Sequence, residues 1–307
     1  MPRLGGLAVF AGFCSPFPVL YLIHNQVSLT FQNYEKMTLA MLVAALMMLG
    51  LGIYDDMKGA GAWKKFTVQI AASLVLFLGG FQITELSNPF GDAWKLGWLA
   101  LPVTVLWIVG ITNAMNLLDG IDGLATGVTF CIALALALIN IMQGQIMVAL
   151  LTLCLAGACL GFLPYNFSPA SIFLGDTGSL FLGLALACIS ILSLFKAATA
   201  TLIAVPILLF GLPLFDTVSV MAGRIWRGAP VFSADKTHVY HRLLRMGWNQ
   251  REAAFFLYGF TLVMGTIAID LSLKHSTATL GFGALLLSVL IAAMALKSRK
   301  KPGNKSD

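Results

Sequence analysis

Apolar and polar positions alternate along this chain in long blocks rather than with a short period. Apolar runs of about 18 residues, the length a helix needs to cross a bilayer, are separated by short polar linkers. The pattern predicts about ten spans, at 5–23, 37–53, 66–83, 98–111, 124–142, 146–163, 179–195, 201–220, 253–269 and 279–296. The fold class expected is therefore all-α: a polytopic integral membrane protein with its polar chemistry in loops. No linker is long enough to fold as a soluble domain and no internal repeat is evident, so residues 1–307 read as a single transmembrane domain.

Composition agrees with that reading. Hydrophobic residues make up 59% of the 307 and charged residues only 10%, with a mean hydropathy of +0.89; soluble domains do not look like this. The five cysteines, Cys14, Cys131, Cys154, Cys159 and Cys188, lie in or beside apolar runs with no CxxC spacing, and read as small packing residues. The net charge of +6 is explained by the positive-inside bias rather than by nucleic acid. Fifteen Lys and Arg fall in one set of loops with both termini, and four in the other set. The first set is expected in the cytoplasm of a cell whose inner membrane the chain crosses many times. No cleavable signal peptide is evident before the first apolar run.

The same orientation gathers the acids. Asp55, Asp56, Asp119, Asp122, Asp176, Asp216 and Asp235 are far apart in sequence, yet all fall at cytoplasmic span ends or loops. The densest stretch is NAMNLLDGIDG, residues 113–123, with Asn113, Asn116, Asp119, Asp122 and two glycines. Hard oxygen ligands of this kind suit magnesium. Taken alone, the stretch is equally a polar inter-helix loop with Asp as a cap. In GIYDDMKGAGAWKKF, adjacent Asp55 and Asp56 suggest metal or general-base work. The lysines after them, Lys58, Lys64 and Lys65, suit phosphate or a solvated basic loop. In PYNFSPASIFLGDTGS, Pro164 and Pro169 are expected to interrupt the helix. Asp176 sits where a span begins, either as a plain N-cap or as a carboxylate where metal-bridged phosphates gather. His238 and His241 lie three apart in a basic segment with Arg242, which suits phosphate or sugar contacts; no cysteine is near to suggest zinc. A transporter is the rival class, but the expected spans lack midplane charges.

Five pieces, PRLGG, GIYDDMK, NAMNLLDGIDGLATG, FLGDTGS and HVYHRLL, occur in one order over essentially the whole chain. Together they resemble the polyprenyl-phosphate N-acetylhexosamine-1-phosphate transferases. That resemblance implies a reaction: undecaprenyl phosphate attacks the β-phosphorus of a UDP-N-acetylhexosamine, and UMP leaves. It implies magnesium, with manganese as an alternative, held by Asp176 and Asn116. It implies a nucleoside pocket of Asp119, Gly120, Ile121, Asp122 and Phe173, with phosphates and sugar held by Lys65, His238 and His241. Asp55 and Asp56 would face the acceptor phosphate. The catalytic candidates are thus Asp55, Asp56, Asp119, Asp122, His238 and His241. Asn113, Asn166 and Arg242 join Lys65, Gly120, Ile121 and Phe173 as substrate-binding candidates. The partners expected are the UDP-sugar, the polyprenyl phosphate and the bilayer, with a homodimer among the possible assemblies and no nucleic acid. Two departures from the family stand out. The span and basic segment that usually precede PRxGG are expected to be missing, and Tyr240 stands where a third histidine is usual. The second departure favours a GlcNAc-1-phosphate donor over the phospho-MurNAc-pentapeptide donor of peptidoglycan synthesis.

Overall fold

The computed structural model describes residues 4–22, 26–86, 93–195, 204–228 and 238–273. The segment expected to span at 279–296, together with His24, Asp235 and His275, lies outside them. The regular structure of the described residues is helical except for a two-stranded antiparallel ribbon, β1 (Glu85–Leu86) and β2 (Trp94–Lys95).

Six helices among the described residues are long and apolar enough to cross a bilayer. They are α4 (Glu35–Lys58), α6 (Ala100–Leu118, preceded by a 3-10 turn at Gly97–Leu99), α7 (Leu124–Met142), α8 (Ile146–Asn166), α9 (Gly175–Ser190) and α13 (Gln250–Leu273). The other expected spans are built differently. Residues 5–23 divide into α1 (Gly5–Cys14) and α2 (Pro16–Leu22), because Pro16 cannot donate to the preceding turn. A short α3 (Gln26–Gln32) follows. The expected span at 66–83 is α5 (Ala62–Gly79), whose first turn carries Lys64 and Lys65. The described part of 201–220 is split at Phe210 into α10 (Ala204–Leu209) and α11 (Gly211–Trp226). The short α12 (Val239–Arg245) precedes α13.

Two further boundaries differ from the hydropathy pattern. α6 does not stop at Ile111; it continues through Asn113 and Asn116 to Leu118, because both amides find partners inside the bundle. Asp119 and Asp122 lie in the turn that follows, not on a shared helical face. α8 runs through Pro164 to Asn166; the proline forgoes one backbone bond, to Leu160, and the helix ends two residues later.

The core is α9 wrapped by its neighbours. Every residue from Thr177 to Ser190 is buried, as expected of a helix apolar on all sides. α9 packs on α1, α4 and α6, while α7 packs on α8 and α13. Small residues set the spacing: a side chain at Gly183 would meet the Thr112 backbone of α6, and one at Gly127 would meet the Tyr258 ring of α13. Trp63, at the start of α5, and Trp94 and Trp98, beyond its other end, are exposed at opposite ends of the bundle, as interfacial aromatics are. All described candidate site residues lie toward the Trp63 end, except where noted below.

Candidate active site

The first turn of α9 is the post on which the site is built. Gly175 enters it with φ +71°, a conformation that favours glycine. The start of a helix leaves backbone N–H groups without intrahelical acceptors. Here Asp56, from the end of α4, accepts from the amides of Asp176 (2.9 Å) and Thr177 (3.0 Å) and from the Thr177 hydroxyl (2.7 Å). α1 in turn donates its own first amides, Gly5 and Gly6, to the carbonyls of Phe173 and Leu174 at 3.1 and 3.0 Å. These bonds need close approach. A Cβ on Gly52 would lie 2.3 Å from Thr177 Cα, and one on Gly6 would lie 2.1 Å from the Gly178 nitrogen. The glycines of the PRLGG and GIYDD pieces therefore let two helices touch α9 backbone to backbone.

Asp176 projects from this post. Its Oδ1 accepts from the Asn116 amide at 3.0 Å, and Asn116 also donates to Ser179 Oγ at 2.9 Å. Its Oδ2 meets the Lys65 ammonium, which bridges to Asp55 as well. Asp55 also accepts from the Ala60 amide. Four helices, α4, α5, α6 and α9, thus each bring one side chain to a shared point. Asp55 and Asp56 are neighbours in sequence but part company here. Successive helical residues point about 100° apart, so Asp55 joins the Lys65 cluster while both Asp56 oxygens turn to the start of α9.

The turn after α6 forms the second wall. Asp119 ends that helix, and burial, then the charges of Asp56 and Asp122, push its carboxyl up to about 7. Asp122 Oδ2 accepts the Ala170 amide at 3.0 Å, tying this turn to the loop before α9. Gly123 starts α7 at φ +78°, and its carbonyl accepts the Tyr258 hydroxyl at 2.6 Å. Ile121 is buried and Phe173 half-buried beside these elements.

α12 closes the third side. Asp216 of α11 takes the His238 Nδ1 at 2.7 Å and the Val239 amide at 2.7 Å, so one carboxylate caps α12 and holds its first ring. Both side chains are buried, His238 at 4% and Asp216 at 2% exposure. His238 stacks on Tyr240 with centroids 5.7 Å apart, and Tyr240 meets His241 at 4.4 Å. Tyr240 covers Gly120: a Cβ there would sit 2.0 Å from its hydroxyl oxygen. Burial, then the charges of Asp216 and Asp119, push the Tyr240 phenol up to about 12, so it stays a neutral hydrogen-bonding group. His241 is half-buried and Arg242 exposed on the same short helix.

Two candidates are engaged elsewhere. Asn113 exchanges hydrogen bonds with Gln69 at 2.7 and 3.3 Å and donates to the Val109 carbonyl at 2.8 Å, joining α5 to α6. Asn166 is buried, accepting from the Thr126 hydroxyl at 2.8 Å and donating to the Ile172 carbonyl at 3.1 Å, which fixes the loop between α8 and α9. Sequence reasoning had not paired Asp216 with His238, nor picked out Gln69, Thr177 or Ser179. An acid inside the apolar run PLFDTV was the available signal for Asp216.

Among the described residues no three His, Cys, Asp or Glu side chains form a metal-binding group. Asp176, with the Asn116 amide oxygen if that amide were flipped, could hold a hard cation beside the point where the Lys65 ammonium meets Asp55 and Asp176.

Residues 38–194 match the family described as Glycosyl transferase family 4. The chain is 37% identical over 297 residues to a probable undecaprenyl-phosphate N-acetylglucosaminyl 1-phosphate transferase of Bacillus subtilis, covering 96% of this chain and 79% of that protein. It is 32% identical over 331 residues to a decaprenyl-phosphate N-acetylglucosaminephosphotransferase of Mycobacterium tuberculosis, covering 97% and 79%. It is 33% identical over 271 residues to a phospho-N-acetylmuramoyl-pentapeptide-transferase of Moorella thermoacetica, covering 82% of each. The match over residues 38–194 and these similarities agree with the polar cluster at one end of the helical bundle, and the chain belongs to glycosyl transferase family 4.

Proposed function

We propose that this chain transfers N-acetylhexosamine 1-phosphate, GlcNAc 1-phosphate first among the candidates, from its UDP conjugate to undecaprenyl phosphate. The products are UMP and the lipid-linked pyrophosphoryl sugar that starts a cell-envelope glycan. The observation that carries this reading is the meeting of Asp176, Asn116, Lys65 and Asp55 from four helices at one end of an apolar bundle. A polar site at that depth serves one substrate from water and one from the bilayer. The relatives' activities on undecaprenyl and decaprenyl phosphate support the acceptor.

In the reaction an acceptor phosphate oxygen forms the new bond to the β-phosphorus. The bond from that phosphorus to the α–β bridging oxygen breaks, and its electron pair leaves with UMP. Asp176 and Asn116 would hold magnesium, which would neutralise pyrophosphate charge there. Lys65 supplies a second cation, moving its ammonium from carboxylates to phosphate oxygens. Asp55 orients that lysine. Asp56 acts through the start of α9 by holding Asp176 in place. Asp119, with its carboxyl near 7, exchanges a proton near neutral pH. Tyr240, Gly120 and Ile121 form an apolar wall suited to a nucleobase, and His241 and Arg242 face the phosphates and sugar. The Lys and Arg asymmetry supports a cytoplasmic site, which is where UDP-sugars are made.

Purified protein should release UMP from UDP-GlcNAc when undecaprenyl phosphate and magnesium are supplied. Release only from UDP-MurNAc-pentapeptide would move the chain to the peptidoglycan branch. No UMP from either donor would sink the proposal.

A further inference from the structure

On the face of α4 and α5 turned away from the site lies a groove of about 610 Å³, within the roughly 300–1,000 Å³ typical of ligand pockets. Its floor is apolar: Leu46, Met47 and Gly50 from α4 and Val68 from α5. A Cβ on Gly50 would meet nothing within 4 Å, so the missing side chain leaves open space rather than a backbone contact. This separates Gly50 from Gly52, whose missing side chain is filled by α9. Leu46 is 52% and Trp63 81% exposed, so the groove opens to the surrounding bilayer.

The mouth is basic and aromatic. The Lys64 ammonium sits 5.4 Å and the Lys58 ammonium 5.9 Å from the centroid of one ring, Tyr54. Lys64 also donates to the Tyr54 hydroxyl at 3.4 Å. Among the described residues neither lysine has a carboxylate partner: Asp55 is bound to Lys65 and Asp56 to α9. Lys64 lies in the first turn of α5, where the helix dipole opposes a cation, and no acidic residue offsets it there. Trp63 beside it marks headgroup depth. Lys64 thus lines the apolar slot at the level of lipid phosphates, and Lys58 lies near it on the shared Tyr54 ring.

We propose that this groove seats an anionic glycerophospholipid, its phosphate between Lys58 and Lys64 and one acyl chain laid over Gly50. The charge match selects a phosphate-bearing headgroup without a compensating cation, and the slot selects a chain over a soluble phosphate. This inference goes beyond the transferase reading and does not depend on it.

The test is retention of phosphatidylglycerol against phosphatidylcholine by the full chain in detergent, read by native mass spectrometry. The unaltered protein should favour phosphatidylglycerol roughly tenfold or more, the preference two membrane-facing cations confer. Lys58→Gln with Lys64→Gln should abolish that preference, and Lys58→Arg with Lys64→Arg should keep it. Gly50→Leu leaves both charges in place but fills the slot, and should also release the lipid. A preference that survives the double Gln variant overturns the proposal. So does one that survives Gly50→Leu, since the chain then lies elsewhere. Loss of undecaprenyl phosphate binding in the double Gln variant, with phosphatidylglycerol unaffected, also overturns it and gives the groove to the acceptor.

Discussion

Asp216 and His238 meet at 2.7 Å across a gap of 22 residues, and both side chains are almost wholly removed from solvent. The carboxylate also holds the Val239 amide, so removing it orphans two buried donors at once. Each such loss costs about 1–3 kcal/mol. Asp216→Ala is therefore expected to lower the unfolding midpoint and to raise hydrogen exchange across residues 239–245, while residues 177–190 stay protected. Unchanged exchange in α12 would show that this pair does not dock it.

Asp176→Asn should lose UMP release by roughly 10²–10³-fold, the scale expected when transition-state charge loses its counter-ion. Asparagine keeps the hydrogen-bonding shape offered to Asn116, so folding should persist. Near-normal turnover at saturating magnesium would remove Asp176 from the metal site.

Asp119 makes a pH-dependent prediction. Burial and the neighbouring carboxylates push its folded carboxyl up to about 7 from the ordinary 3.8. Between those values the folded protein holds a proton that the unfolded chain has released. The stability linked to that proton is full below the lower value and is lost as pH rises through the higher one. With metal chelated, Asp119→Asn should raise the unfolding midpoint at pH 8 and leave it nearly unchanged at pH 4 or below. An equal shift at both pH values would point to packing rather than charge.

Two glycines of α4 should behave oppositely. Gly52→Ala places a methyl group against the Thr177 backbone, an overpacking that costs about 1–3 kcal/mol or more. Gly50→Ala meets open space and should stabilise the helix by about 0.5–1 kcal/mol. Thermal unfolding of the two variants in one detergent compares them directly. Equal midpoints would contradict the backbone contact between α4 and α9.

The orientation is open to impermeant thiol labelling of intact cells. Lys95→Cys, in the ribbon, should react from outside, and Arg245→Cys, at the end of α12, should not. The reverse pattern would place the donor on the other side of the membrane.

What the sequence made readable was the chemistry that breaks the apolar pattern. Asp176, Asn116 and Lys65 are polar residues where continuing the span would be cheaper, and they do converge. The hidden part lies in pairings between distant polar residues. Nothing local says that Asn113 meets Gln69 rather than a substrate, or that Asp56 caps a helix 120 residues away. The end of α6 lies beyond the apolar run for the same reason, since those pairings let helix continue through residues that hydropathy reads as loop. Pro16 and the Gly52 contact were written in the sequence, but only as residue types. Which helix would come against each glycine is a property of the packed bundle.

α9 is enclosed along its length, gripped at its start by two glycine contacts and closed by a carboxylate from α4. A close-packed element of this kind does not bend to meet a ligand. The division of labour follows: Asp176 is the anvil, and what travels must be the substrates and the rim around them. α12, seven residues long and docked through Asp216, has far less holding it. Variants that loosen the rim should therefore alter the tempo of UMP release before they disturb the position of the Asp176 carboxylate.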